Sequence, residues 1–312
     1  MPSPRVLVVA ATHGNEINAP WLLEQWQQQP HLIQTHGCEV LPVIGNPDAY
    51  AEGCRYLDRD LNRSFRPDLL QQVGAERIPS SKVDREVQRA FDLVSRYGVG
   101  GIDACGVVID LHTTTSSMGN SLVVYGRRPA DLALAALVQG RLGLPIYLHE
   151  ADPVQQGYLV ESWPCGLVIE VGPVPQMVRH HKILTQTRLA LEAVLEACSD
   201  VLACRARYPS QLVVHRHLGS LDLPRSPSGS PDAFLHPRRQ GSDWQPLRIG
   251  DPLFQKADGS CVVYEGSDGQ IPLFINEAAY AEKAIALSLT LRECWPLSLE
   301  WTEALQAQLS AG

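Results

Sequence analysis

The chain has 312 residues and a formal net charge of −8, and its lysines and arginines are scattered along it. This charge pattern argues against nucleic acid and anionic membranes as partners, and no apolar run approaches the ~20 residues of a membrane span. Eight cysteines without a Cys-x-x-Cys pair indicate reduced thiols. The first residues run directly into strand-like sequence, so we expect no signal peptide and a cytoplasmic protein with a sizeable core.

The first strong pattern is an apolar run from Val6 that ends in His13-Gly-Asn-Glu16 and leads into residues with helical apolar spacing. It predicts a buried strand, a tight turn and a helix whose first turn is capped by Asn15. His13 and Glu16 then lie beyond the carboxyl end of a strand, where open α/β sheets place their chemistry. Their spacing of three puts both side chains on one side of the first helical turn, where they could share a zinc ion. Alone, the motif is weak because it recurs by chance.

A second strand over Glu39–Ile44 precedes a charged loop, Cys54–Phe65, whose arginines and aspartates follow no helical or strand period. One interpretation is a solvated loop with surface salt bridges. In the other, apolar neighbours pin the loop to the core and fix Arg55 and Arg63 for the recognition of planar anions.

A helix over 83–97 precedes a strand over 107–112, which ends in a histidine just before a small polar loop. Of the ten histidines, only His13 and His112 have this setting, and we expect surface or structural roles for the others. Together with Glu16, these two histidines make a set of three zinc ligands. Such a set leaves a fourth position for water, which is the mark of a catalytic zinc site.

Two carboxylates lie inside apolar strands. Glu170, within the strand 166–172, must be paired or functional because its burial is costly, and the functional interpretation is a general base. Asp110 lies two residues before His112, so it either orients that imidazole or makes a plain salt bridge.

Strands and helices alternate through the first two thirds of the chain. Further strands are predicted over 121–125 and 145–149, and further helices over 130–142 and 175–204. This alternation is typical of a parallel-type sheet covered on both faces.

The pattern changes after residue 208, where alternating segments and turn signals replace helical spacing. Asp258-Gly259 and Asp268-Gly269 predict hairpins, and the pattern alone assigns no role to Tyr280. We therefore predict a catalytic α/β domain over 1–208 and a smaller, mainly β domain over 209–312.

Several of these motifs, in this order, resemble the aspartoacylases of the aspartoacylase/succinylglutamate desuccinylase family, whose fold is akin to that of zinc carboxypeptidases. The resemblance covers nearly the whole chain and is carried by Thr-His13-Gly-Asn-Glu16, Asn46-Pro, Cys-Arg55-Tyr-Leu-Asp-Arg-Asp-Leu-Asn62-Arg63, Asp-Leu-His112-x-Thr-Thr, Ile-Glu170-Val-Gly-Pro and Asn-Glu-Ala-Ala-Tyr280. It implies an α/β fold with a mixed sheet flanked by helices, and a C-terminal β domain that covers the active site. It also implies a zinc amidohydrolase that cleaves N-acyl amino acids, typically N-acetyl-L-aspartate to L-aspartate and acetate.

The resemblance also implies roles for individual residues. One zinc ion per chain would be held by His13, Glu16 and His112. Glu170 would be the catalytic base and would also contact substrate, and Arg55 would polarise the scissile carbonyl. The groups that would hold substrate carboxylates are Asn62, Arg63 and Tyr280, and Tyr158 matches a family tyrosine.

One departure from the family concerns residues 150–165, which contain no arginine or lysine where animal aspartoacylases have a substrate-contacting arginine. Amide hydrolysis is unaffected by this difference, but the preference for aspartate is left open. The alternatives are an aminoacylase for neutral or aromatic N-acyl amino acids and a non-catalytic zinc-binding protein or sensor. The oligomeric state also stays open, with a homo-oligomer as one alternative.

Overall fold

The fold is built on β-strands. The computed structural model describes residues 3–74, 83–150, 152 and 155–311. The strands are β1 Arg5–Ala10, β2 Glu39–Ile44, β3 Val107–Thr113, β4 Gly119–Tyr125, β5 Ile146–His149, β6 Cys165–Gly172, β7 Gln211–Leu221, β8 Ala233–Leu235, β9 Pro252–Lys256, β10 Cys261–Val263, β11 Ile271–Leu273 and β12 Leu287–Pro296. Within the described ranges, nine of them form a central sheet in the order β11-β12-β7-β5-β4-β6-β3-β1-β2, and β10-β9-β8 form a second sheet.

Helices cover the central sheet on both faces. They are α1 Asn18–Gln28, α2 Pro47–Glu52, α3 Pro67–Gly74, α4 Arg85–Tyr97, α5 Pro129–Leu142, α6 His181–Leu202 and α7 Leu299–Ala311. Val6 and Val8 of β1 pack in the apolar cluster that contains α1, α5, α6 and α7 side chains, whereas Leu7 and Val9 pack in the cluster that contains α4. This two-sided burial explains why the inner strands are nearly continuous apolar runs. None of the described helices combines the length and apolar character that crossing a membrane requires.

The central sheet is mixed, which corrects the parallel-type sheet expected from the alternation of strands and helices. β1 is parallel to β2 and β3, and β3 is parallel to β6, but β4 runs antiparallel to β6. Only residues 114–118 connect β3 to β4. This segment is too short for the crossover that a parallel strand needs, so the chain reverses its direction there.

The C-terminal third contributes to both sheets. β7, β11 and β12 extend the central sheet, while β8, β9 and β10 form the smaller sheet over their own apolar cluster. Leu305 and Leu309 of α7, a helix that the pattern did not predict, pack in the cluster of α1, α5 and α6. The expected α/β class, with a mixed sheet flanked by helices and a β-rich C-terminal region, is confirmed. The division between residues 208 and 209 stays a prediction.

Three predictions of local structure are wrong, and the first two concern the start of α6 and the turn after β10. The helix expected from Pro175 begins at His181, because the preceding residues form a loop in which the Met177 amide donates to the Asn15 carbonyl at 3.0 Å. The turn at Asp268-Gly269 joins β10 to β11, which lie in different sheets, so it does not close a hairpin.

Asn15 does not cap the first helix, because α1 begins at Asn18 with Ile17 as its N-cap residue. The turn before the helix is pressed against α2, where a Cβ on Gly14 would lie 2.2 Å from the Ala49 carbonyl carbon. Glycine is therefore required where the turn contacts α2, and α1 begins only beyond this contact.

Candidate active site

Adjacent strands of the central sheet bring the candidate residues together. His13 follows β1, His112 lies near the end of β3, and Glu170 lies opposite His112 on β6. Since β1, β3 and β6 are parallel neighbours, these side chains meet at the carboxyl edge of the sheet.

His13, Glu16 and His112 form a compact buried group. The Nδ1 atom of His13 lies 2.7 Å from Oε1 of Glu16, and Nδ1 of His112 lies 3.1 Å from Oε2. One ligand atom from each of the three residues can be chosen so that all lie within 4.8 Å of one another. The Thr113 amide donates to Oε2 at 2.9 Å, which holds the carboxylate between the two rings.

A second carboxylate lies behind each imidazole. Nε2 of His13 is 3.0 Å from Asp60, and Nε2 of His112 is 2.8 Å from Asp110, which also accepts from the Thr12 hydroxyl at 2.6 Å. Both rings therefore direct Nδ1 towards Glu16, in the arrangement that carboxylates impose on metal-binding histidines. Asp110 makes the contact that the orienting interpretation requires. Asp60 was missed because a single aspartate in a charged loop carries no signal of its own.

Electrostatics favour a charged Glu16. Burial opposes its ionisation, but the facing imidazoles of His13 and His112 outweigh burial and lower the pKa of Glu16. Burial likewise opposes the charge on His112, yet Asp110 and Glu16 raise its pKa well above the ordinary value. The group thus attracts positive charge between its nitrogen and oxygen atoms.

Glu170 differs from Glu16 although both are buried. Burial raises the pKa of Glu170 well above its ordinary value, against the opposing effect of His112. A carboxylate with a raised pKa beside a metal-binding group is suited to accept and return a proton.

The charged loop over residues 54–65, called the arginine loop from here on, is held in place by a buried glutamate on α4. Glu86 accepts from the backbone amides of Leu57, Asp58 and Arg59 at 2.7, 3.1 and 3.2 Å. Arg55, on the same loop, donates to Asp60 at 3.3 Å and lies 3.5 Å from Glu16. The loop is therefore ordered against the site, and Glu86, a functional support that sequence patterns missed, orders it.

Arg63 and Asn62 lie further along the same loop. Arg63 donates to the Asn62 carbonyl at 2.7 Å and to Gln155 Oε1 at 3.1 Å, and its guanidinium stacks 4.0 Å from the centroid of the Tyr158 ring. The Asn62 side chain accepts from the Leu159 amide at 2.8 Å. These contacts fix both residues at the pocket, where Tyr158 and Tyr280 also lie.

An aromatic wall forms the rest of the pocket and contains a histidine. Sequence patterns gave His149 no role at the site, but it ends β5 and faces the same pocket. Its ring lies 2.9 Å from the Tyr147 hydroxyl and 3.2 Å from the Tyr158 hydroxyl. Burial lowers the pKa of His149 to about 4, so this imidazole is neutral at pH 7. The strand was predicted over 145–149, but the residues that follow it are not the small polar loop that singled out His112, so the pattern did not point to His149.

The C-terminal region enters the pocket through Glu277. This buried carboxylate accepts from the Thr115 and Ser116 amides at 2.8 and 3.3 Å and from the Thr114 hydroxyl. It precedes a 3₁₀ turn over Ala278–Lys283, which brings Tyr280 to the pocket. Glu277 therefore ties the segment carrying Tyr280 to the loop that follows β3.

Comparison with known proteins agrees with this geometry. Residues 2–198 match the succinylglutamate desuccinylase/aspartoacylase catalytic domain, and residues 210–292 match the AstE/AspA barrel-sandwich hybrid domain. The chain belongs to the succinylglutamate desuccinylase/aspartoacylase family. This relationship indicates a hydrolase that acts on N-acyl amino acids.

Individual relatives of the family match almost the full chain. A probable aspartoacylase of Prochlorococcus marinus (strain MIT 9313) is 62% identical over 302 residues, which are 97% of each chain. One of Synechococcus sp. (strain CC9605) is 58% identical over the full length of both chains. The crystal structure of murine aminoacylase 3 superposes with a TM-score of 0.84 at 32% identity, over 95% of this chain and 98% of that one. A succinylglutamate desuccinylase from Chromobacterium violaceum, with a TM-score of 0.57 at 17% identity over 95% of this chain and 86% of that one, shares the fold.

Proposed function

We propose that this protein is a zinc-dependent deacylase of N-acyl amino acids that converts N-acetyl-L-aspartate to L-aspartate and acetate. The observation that carries the proposal is the buried group of His13, Glu16 and His112, whose ligand atoms lie within 4.8 Å of one another. Two imidazoles and one carboxylate are a donor set that catalytic zinc sites use, so these residues fit one zinc ion per chain.

The proposed mechanism assigns the proton transfers to Glu170. Zinc, when bound, supplies a Lewis acid that polarises the amide carbonyl and makes water acidic enough to lose a proton near pH 7. Glu170 accepts this proton as the water oxygen attacks the carbonyl carbon, and it returns the proton to the amine nitrogen as the C–N bond breaks. Its raised pKa supports this role, because a base must be able to hold the proton between the two steps.

Arg55 supports the same reaction through its guanidinium. Its guanidinium, fixed between Asp60 and Glu16, donates hydrogen bonds to the carbonyl oxygen as negative charge develops there. A single donor of this kind is worth roughly 3 kcal/mol in the transition state. Glu170 and Arg55 favour an enzyme over a non-catalytic zinc-binding protein or sensor, since metal binding alone requires neither.

Substrate recognition is assigned to residues that follow Arg55 along the arginine loop. Arg63, Asn62 and Tyr280 hold the carboxylate of the amino acid next to the scissile bond, and Tyr158 supports Arg63 by stacking on its guanidinium. A planar guanidinium pairs with a carboxylate through two parallel hydrogen bonds, which fixes the orientation as well as the charge.

A second candidate function is an aminoacylase for aromatic or aliphatic N-acyl amino acids. The observation that favours it is the wall of Tyr125, Tyr147 and Phe274 in the pocket, which offers apolar surface. The similarity to murine aminoacylase 3 points in the same direction.

A hydrolysis screen separates the two functions. We expect the zinc-loaded protein to have a higher kcat/KM for N-acetyl-L-aspartate than for N-acetyl-L-alanine or N-acetyl-L-phenylalanine. If a neutral substrate has the highest value, the aminoacylase function replaces the aspartoacylase function. If no N-acyl amino acid is cleaved, the deacylase proposal fails.

A further inference from the structure

Lys283 places a shielded positive charge beside the candidate active site. It ends the 3₁₀ turn that carries Tyr280, and its ammonium nitrogen lies 3.6 Å from Asp60 Oδ2 and 5.7 Å from the centroid of the Tyr280 ring. The side chain is 22% exposed, and among the described residues no atom accepts a hydrogen bond from the ammonium. Shielded ammonium groups are costly unless an acceptor satisfies them, so this one has donors available for a ligand.

The neighbouring negative charge is already shared. Asp60 faces His13 at 3.0 Å and Arg55 at 3.3 Å in addition to Lys283. Burial, followed by the repulsion from Arg63, lowers the pKa of Lys283 to about 8, so the amine is still mostly protonated at pH 7. Asp60 therefore does not serve as a dedicated partner of Lys283.

Arg63 is the second cation without full neutralisation. Its hydrogen bonds go to the neutral oxygens of Asn62 and Gln155, and in the described part of the chain no carboxylate lies within 4 Å of its guanidinium. Arg63 and Lys283 both line a cavity that adjoins the catalytic pocket. Two carboxylates, Glu150 and Asp152, also line this cavity. The Glu150 carboxylate is paired with Arg127 at 2.7 Å, and Asp152 accepts from the Gln155 side chain at 3.1 Å.

We propose that Lys283 is a specificity-determining residue that binds the side-chain carboxylate of an acidic N-acyl amino acid while Arg63 holds the α-carboxylate. The inference rests on the proposed deacylase function and assigns the substrate class within it. A dicarboxylate requires two neighbouring cations with spare donors, and Arg63 and Lys283 meet this requirement. Lys283 thereby supplies, from the C-terminal region, the positive charge that residues 150–165 lack.

The test compares two nearly isosteric substrates, N-acetyl-L-aspartate and N-acetyl-L-asparagine, in Lys283→Met and Lys283→Arg. Hydrolysis gives kcat/KM, and calorimetric titration of the zinc-loaded Glu170→Gln background gives Kd without turnover. Arg59→Met is the matched control, because Arg59 lines the same cavity but pairs with Asp84 at 3.4 Å. Zinc content and Tm of each variant verify that the fold is intact.

We expect Lys283→Met to lower kcat/KM and binding of N-acetyl-L-aspartate by about 10- to 100-fold, the value of one charge-assisted contact. The asparagine analogue should change by less than about threefold, since it offers Lys283 no charge. Lys283→Arg should retain most of the preference for aspartate, and Arg59→Met should leave the aspartate-to-asparagine ratio unchanged.

The opposite outcomes overturn the inference. An equal loss with both substrates in Lys283→Met would mean that Lys283 only neutralises Asp60, and no loss with either substrate would mean that it does not contact substrate. Hydrolysis with an unchanged ratio would leave the proposed function intact and reject only the role of Lys283. If binding is selective and depends on Lys283 but neither substrate is hydrolysed, the role of Lys283 stands and the proposed deacylase function fails.

Discussion

Glu170 and Glu16 show at the residue scale how similar side chains acquire different tasks in one site. Two imidazoles face Glu16 and keep it ionised, whereas burial dominates around Glu170 and favours its protonated form. This separation of two pKa values is what distinguishes a ligand carboxylate from an acid–base carboxylate.

The first prediction at this scale concerns Glu170→Gln. Glutamine keeps the shape of the side chain but can neither accept nor return a proton. We expect kcat to fall by at least about 10²-fold, the low end for a positioned acid–base group, while zinc content stays unchanged. Steady-state hydrolysis and metal analysis of the same sample measure both quantities.

Glu192→Gln, on α6 and away from the pocket, is the control and should retain full activity. Turnover of Glu170→Gln near the normal rate would assign the proton transfers to another residue. Loss of zinc along with activity would instead make Glu170 part of the metal site.

At the scale of elements, α4 supports the arginine loop. Glu86 lies in the first turn of α4 and is fully buried. Its carboxylate accepts hydrogen bonds from the backbone amides of residues 57–59 and, at 3.1 Å, from the Asn46 side chain. One carboxylate thus replaces the hydrogen bonds that an irregular segment would otherwise take from water. Arg55 owes its position to this support.

We predict that Glu86→Gln weakens catalysis through the loop. The amide retains one oxygen acceptor but places an NH₂ donor towards backbone donors, so the loop should shift and kcat/KM should fall by about tenfold. A double-mutant cycle with Arg55→Lys measures this mechanism, because two residues that act through one contact give less than additive losses.

Gln88→Ala, two residues along the same helix, is the matched control, since the Gln88 side chain bonds only to Asp92 among the described residues. Additive losses for Glu86 and Arg55 would indicate that Glu86 contributes to stability alone. In that case Tm should fall without any coupling to Arg55.

At the scale of the whole molecule, the site is assembled from distant parts of the sequence. The metal-binding group comes from the turn after β1 and from β3, and the arginine loop lies against α4. The C-terminal region adds Glu277, Tyr280 and Lys283 through a single 3₁₀ turn. The turn lies between β11 and β12, which belong to the central sheet, so the sheet connects it to the first two thirds of the chain.

The sequence allowed the chemistry-bearing residues of this assembly to be predicted where they end strong strand patterns. His13 and His112 follow long apolar runs, and Glu170 lies within one. The apolar pattern of the strands and the place of these residues in it therefore indicated a functional role. The supports Asp60, Glu86 and Glu277 were not predicted, because each is an ordinary carboxylate whose partners are remote in sequence.

The errors in the fold have similar causes. The start of α6 was set too early because residues after Pro175 have helical spacing, although they pack as a loop against the turn at Asn15. The antiparallel β4 follows from the short connection at 114–118, and the general alternation of strands and helices overlooked that the predicted strands 107–112 and 121–125 follow one another without a helix. The proposed boundary at residue 208 stays a prediction, since the sheet pairing crosses it.

The central claim is that His13, Glu16 and His112 hold the zinc ion that drives N-acyl amino acid hydrolysis. The most direct measurement is zinc content together with N-acetyl-L-aspartate hydrolysis on the same samples of the wild type, His112→Ala and the exposed-histidine control His31→Ala. We predict about one zinc per chain and full activity in the wild type and the control, and loss of both in His112→Ala. Full zinc occupancy in an active His112→Ala variant would contradict this account.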